Sequence, residues 1–189
     1  MGFSDDAYNS AADKLGVEAR AVKAVADVES SGQTFWTVLD EKVPPIRLES
    51  HWFGKLTGYA HNDTHPQISS RKWDRNLAAR TQAGAWAQYD EAASLDESAA
   101  IQACSWGAFQ IMGFHWKALG YASPQAFRDS MNTEAGQLDA FARFVKATPA
   151  AHDALKRKDW QAFENAYNGG GFGGAYADKM AAAYERIAA

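Results

Sequence analysis

The chain has 189 residues, 47% of them apolar and 22% charged, ordinary values for a folded domain and unlike those of disordered chains. A net charge of −4 argues against nucleic acid as a partner, and Cys104, the only cysteine, excludes an internal disulfide. No stretch reaches the ~18 apolar residues of a membrane span, and Met1 to Asp6 has neither the basic nor the apolar region of a secretory signal.

Ser4 is placed to cap a first helix in which Ala7, Tyr8, Ala11, Ala12 and Leu15 recur at helical spacing, with Gly16 ending it. A second helix is predicted from about Val17 to Glu29, with Ala21, Val22, Val25 and Val28 on one side and Ser30-Ser31-Gly32 as its stop. Pro44-Pro45 forbids a helix, and the alternation in Ile46-Arg47-Leu48-Glu49 predicts a short strand. With Phe35 to Leu39 this strand can form a small hairpin or ribbon. A helix resumes at Ser50, and Gly58 to Arg71 reads as a long surface loop.

Helical signals then return. Asp96 can cap a helix reaching Cys104, Ser123-Pro124 starts another, and Glu134 to Val145 turns Leu138, Phe141, Phe144 and Val145 toward a core. Asp159 can cap a helix with Phe163 and Tyr167 that ends in Gly169-Gly170-Gly171, and Ala175 to Ile187 forms the last. The pattern is an α+β fold, mainly α, with a small β-hairpin. No repeat, linker or shift in composition appears, so residues 1–189 read as one domain.

Two carboxylates stand out. Glu29 lies at the edge of an apolar helix face, in the last turn, beside the negative end of the helix dipole. Partial burial and the dipole both disfavour its ionised form, which suits a proton donor, although a plain surface role fits the same position. Glu49 faces away from Ile46 and Leu48, either as a second carboxylate of a hydrolytic pair or in a salt bridge with Arg47.

Ser105-Trp106-Gly107-Ala108-Phe109-Gln110-Ile111-Met112-Gly113 is an apolar run bracketed by glycines, as where backbone passes close to a ligand or to a packed core. Gln110 is an amide able to hold a sugar N-acetyl or hydroxyl group. Tyr167-Asn168-Gly169 is a helix end carrying a phenol and an amide. His61 and His65 have the spacing of a helical zinc pair, but the companion glutamate is missing and Pro66 follows, so no metal or cofactor is expected.

Three elements in this order resemble the lysozyme-like superfamily, particularly goose-type lysozymes and soluble lytic transglycosylases: Glu29-Ser30, Ser105 to Met112, and Tyr167-Asn168-Gly169. Closer still is the resemblance to the N-acetylmuramidase domain of phage endolysins, carried by Val28-Glu29-Ser30-Ser31-Gly32, Ile46-Arg47-Leu48-Glu49-Ser50-His51, Ser105 to Gly113, and Phe163 to Gly169. The resemblance runs from about Val17 to the end. That family usually has a bulky apolar residue and Phe before its second glutamate and a basic residue after it, where this chain has Arg47-Leu48 and Ser50.

The resemblance implies a peptidoglycan hydrolase that cleaves the β-1,4 bond between N-acetylmuramic acid and N-acetylglucosamine. Glu29 is then the general acid and Glu49 the second carboxylate, giving inversion at a separation of roughly 6.5–9.5 Å. Ser105, Trp106, Phe109, Gln110, Tyr167 and Asn168 are the implied substrate-binding residues, and Trp36 and Tyr59 further stacking surfaces. A lytic transglycosylase, which needs one glutamate, and a wall-binding module without catalysis are the rival readings. Also expected are glycan strands as partner, a monomer, no stable membrane insertion and no separate wall-binding domain. Synthesis in the host cytoplasm would be followed by holin-dependent release to the wall.

Overall fold

Helix α1 (Asp5–Leu15) shows how local chemistry sets the frame. Ser4 Oγ accepts from the Ala7 amide at 3.4 Å, and Gly16 closes the far end in the left-handed conformation at φ 63°. The computed structural model describes residues 2–30, 33–167, 169 and 174–187. The described residues divide into two compact units, the first made of Met1–Thr34 with Thr133–Ala189 and the second of Phe35–Asn132.

The first unit is helical. After α1 come α2 (Ala19–Ser30), and then, beyond residue 132, α6 (Glu134–Ala147), α7 (Pro149–Arg157), α8 (Trp160–Tyr167) and α9 (Ala175–Arg186). Helix α1 packs on α6, α2 on α9, and α8 against both α7 and α9. Val22, Val25, Leu138, Phe141, Val145, Leu155 and Phe163 are all buried between them. Thr133 and Asp159 cap α6 and α8 by accepting from the Gly136 and Ala162 amides at 3.0 and 3.1 Å.

The second unit holds the strands. A hairpin pairs β1 (Trp36–Val38) with β2 (Glu41–Val43), and a separate three-stranded antiparallel sheet runs β3 (Ile46–Leu48), β4 (Cys104–Trp106), β5 (Ile111–Met112). Helices α3 (Ser50–Leu56), α4 (Gln82–Ala103) and α5 (Pro124–Ser130) complete it, with one 3-10 turn at Arg75–Leu77 and another at Gly113–His115. The predicted partner of the Ile46 strand is corrected here. Ile46 pairs with Trp106 and Leu48 with Cys104, whereas residues 36–38 pair with 41–43.

Two further differences concern α4. Asp96 does cap a helix, accepting from the Ala99 amide at 2.8 Å, but its extended backbone (φ −156°, ψ 98°) marks a kink in a longer helix that begins at Gln82. Gly113 abuts the second half of that helix: a Cβ there would sit 1.9 Å from the Ile101 carbonyl oxygen. Packing, not a ligand, therefore demands this glycine. The mainly helical α+β class is the one expected.

Candidate active site

Glu29 is the penultimate residue of α2 and half-buried. Its position follows from helical period: Val22 and Val25 are fully buried against the core, and Glu29 follows Val25 by four residues, at the margin of that face. The expected stop at Ser31-Gly32 lies outside the described residues.

Tyr167, the last residue of α8, belongs to the same unit. Its ring stacks on Phe163, with centroids 5.2 Å apart, and meets Phe141 and Phe144 edge-on at 5.8 and 5.5 Å. Desolvation of its hydroxyl, and then the negative charge of Glu29, push the Tyr167 pKa well above the usual tyrosine value. The phenol therefore keeps its proton at any working pH and can act as a hydrogen-bond donor. Asn168 lies outside the described residues.

Glu49 belongs to the second unit and is fixed by its backbone. Its amide donates to the Ala103 carbonyl at 3.0 Å, and its carbonyl accepts from the Trp52 and Phe53 amides at 2.9 and 3.1 Å. It stands at the N-cap of α3, but its carboxylate makes no capping bond. The carboxylate instead pairs with Arg47 Nε at 3.0 Å and lies 3.7 Å from His51 Nδ1. The Arg47 pair anticipated as an alternative is thus formed. Burial and the Glu49 charge together raise the thiol pKa of Cys104, a fully buried residue of β4.

The glycine-bracketed segment forms β4, a turn and β5. Gly107 (φ 71°) and Gln110 (φ 49°) take the left-handed conformation that the turn requires. Ser105 Oγ donates to Gln110 Oε1 at 2.8 Å, while Gln110 Nε2 donates to the Gly107 and Pro45 carbonyls at 2.9 and 3.3 Å. The Gln110 amide thus fastens the hairpin to the preceding strand, and its exposed side chain keeps one oxygen lone pair for another donor.

Trp106 and Phe109 need correction as stacking residues. Trp106 is 1% exposed, donates its indole N–H to the Ile101 carbonyl at 2.9 Å, and is flanked edge-on by Trp86 and Tyr89. Phe109 is 3% exposed. A ring so enclosed offers no face to a sugar, and both belong to the core.

Sequence reasoning missed Glu164. It is fully buried on α8, three residues before Tyr167, and its carboxylate accepts from the amides of Gly174, Tyr176 and Ala177 at 3.2, 3.0 and 2.7 Å. It therefore caps α9 from a neighbouring helix. A glutamate directly after Phe163, on the buried side of an amphipathic helix, was the available signal.

Among the described residues no group of three or more metal-binding side chains occurs, and no helix is long and apolar enough to cross a membrane. The model of the N-acetylmuramidase family matches residues 18–188. No curated protein matches the chain. Among solved structures, the crystal structure of the Burkholderia AP3 phage endolysin is similar, with a TM-score of 0.88 and 38% identity over 98% of this chain and 71% of that one. With a lysozyme-like fold and a match over nearly its whole length, the chain belongs to the N-acetylmuramidase family of peptidoglycan-degrading enzymes.

Proposed function

We propose that this chain is an endolysin-type muramidase that hydrolyses the β-1,4 bond between N-acetylmuramic acid and N-acetylglucosamine. The observation that carries this reading is the family match over residues 18–188, which spans Glu29 at the end of α2 and Tyr167 at the end of α8 in one unit. Glu29 gives its proton to the glycosidic oxygen as that bond breaks and positive charge develops on the muramic acid ring. Glu49, ionised, takes a proton from a water whose oxygen bonds to the anomeric carbon, which inverts its configuration. Tyr167 is a positioning residue, donating to Glu29 as negative charge appears there. Gln110, Ser105 and Asn168 are the proposed polar contacts to substrate, and no cofactor enters the reaction.

The proposed partner is the glycan strand of bacterial peptidoglycan, bound by a monomer in which these residues act as one catalytic domain. Similarity to a phage endolysin supports action on the wall, and synthesis in the host cytoplasm with holin-dependent release is part of the same proposal.

One observation favours a second reading. The Arg47–Glu49 ion pair neutralises the proposed base, and a lytic transglycosylase would need Glu29 alone. Mass spectrometry of muropeptides released by wild type, Glu29→Gln and Glu49→Gln separates the two. Reducing N-acetylmuramic acid ends, with both variants nearly inactive, are expected. Anhydro ends from an active Glu49→Gln would replace hydrolysis by transglycosylation.

A further inference from the structure

The loop before α4 carries a charge unlike the rest of the molecule. Residues 71–80 hold four cations, Arg71, Lys72, Arg75 and Arg80, against one acid, Asp74, a net of +3 in a chain of net −4. Among the described residues none of the four cations has a carboxylate within ion-pair distance, so the positive charge of the loop is not cancelled by a neighbour. The acid does not neutralise them from within. Asp74 Oδ1 accepts from the Asn76 amide and side chain at 2.8 and 2.9 Å, which holds the 3-10 turn at Arg75–Leu77 in shape.

In the middle of these charges stands Trp73, 59% exposed and the most exposed tryptophan described. Residues 71–76 are exposed without exception. Arg71 lies over the Tyr59 ring, 4.5 Å from its centroid, so a second aromatic backs the same loop. Tyr59 itself takes a left-handed backbone at φ 65°.

We propose that this loop is a docking surface for an anionic phospholipid membrane, which the protein contacts peripherally. Tryptophan favours the headgroup level of a bilayer, where its apolar ring and polar N–H are both accommodated. Lysine and arginine can lay their stems along the same boundary and keep their charges at the phosphates. A membrane requires no fixed pattern of donors, and the loop offers none: its cations sit on long unpaired side chains, and its one carboxylate is engaged in its own turn. A neutral sugar chain would call instead for oriented polar groups beside the ring. The inference is independent of the catalytic roles proposed above.

The test is co-sedimentation of the full chain with phosphatidylcholine vesicles, with and without phosphatidylglycerol. Binding is expected only with phosphatidylglycerol, and it should fall steeply as salt rises. Trp73→Ala should weaken it about ten-fold. Replacing Arg71, Lys72, Arg75 and Arg80 by Gln should abolish it, at about five-fold per cation. Both variants should keep the wild-type melting temperature, because the replaced side chains are exposed. Three results would overturn the proposal: no vesicle binding by wild type, binding indifferent to phosphatidylglycerol, or binding unchanged in both variants. A patch variant that loses binding to purified peptidoglycan sacculi but retains vesicle binding would also overturn it, reassigning the loop to the wall.

Discussion

The Glu164 carboxylate reaches from α8 onto the N-terminus of α9, with Oε2 2.7 Å from the Ala177 amide. A fully buried acid is normally a liability, yet here three backbone N–H groups and the positive end of a helix dipole compensate it. Glu164→Ala would strand those amides and should cost about 3 kcal/mol. Glu164→Gln keeps one acceptor and should cost about half of that. Urea unfolding monitored by circular dichroism measures both, and equal stability of all three proteins would remove the capping role.

The same helix carries Tyr167 one turn later. Tyr167→Phe keeps the packing on Phe141, Phe144 and Phe163 but removes the hydroxyl that senses Glu29. If the phenol positions the acid, kcat should fall about ten-fold, less than the roughly 100- to 10,000-fold of general-acid assistance itself, because the acid is still present. The alkaline limb of the pH–rate profile, where the general acid loses its proton, should move while KM and melting temperature stay put. A loss confined to KM would instead make Tyr167 a substrate contact.

The helix caps were legible because capping is local: Ser4, Ser123, Asp159 and Asp96 each lie three residues from the amide they satisfy. Strand pairing was not. The Ile46 strand alternates cleanly, but alternation does not name a partner, and its partner strand follows some 58 residues later. The first half of α4 escaped notice because Ala, Gln and Gly dominate its first turns and mark no single apolar face. Trp106 and Phe109 read equally well as cleft lining and as core, and only their burial decides. Glu29 and Glu49 were singled out by position and resemblance, whereas for Glu164 the sequence signals at most burial beside Phe163, and not its three partners beyond the glycine run.

Glu18 makes stability depend on pH in a defined window. The Lys158 ammonium at 2.8 Å and the Tyr184 hydroxyl at 2.6 Å both donate to it, with Arg20 nearby. Chiefly through those two hydrogen bonds its pKa is lowered from 4.5 to about 2. A carboxyl with a depressed folded-state pKa stabilises above its unfolded pKa, and that contribution is lost as pH falls through the folded value. Glu18→Gln should therefore lower the melting temperature near neutral pH, and the gap to wild type should close between pH 4.5 and about 2. Salt should narrow the gap at neutral pH, because the Glu18 side chain is 52% exposed. A gap unchanged across that window would assign the effect to something other than the carboxylate charge.

Gly113→Ala decides what the glycines around the Ser105–Gly113 segment are for. The new Cβ would lie 1.9 Å from the Ile101 oxygen and 2.8 Å from its carbonyl carbon, both backbone atoms that cannot swing aside. Either β5 or the second half of α4 must shift, and overpacking of this kind costs about 1–3 kcal/mol, more where backbone is the obstacle. Because β5 pairs with β4, which in turn pairs with the strand leading to Glu49, the shift should reach the candidate site. Thermal unfolding and wall lysis should decline together in this variant. Loss of lysis at full stability would mean that the glycine makes room for substrate, and that the approach to α4 is incidental.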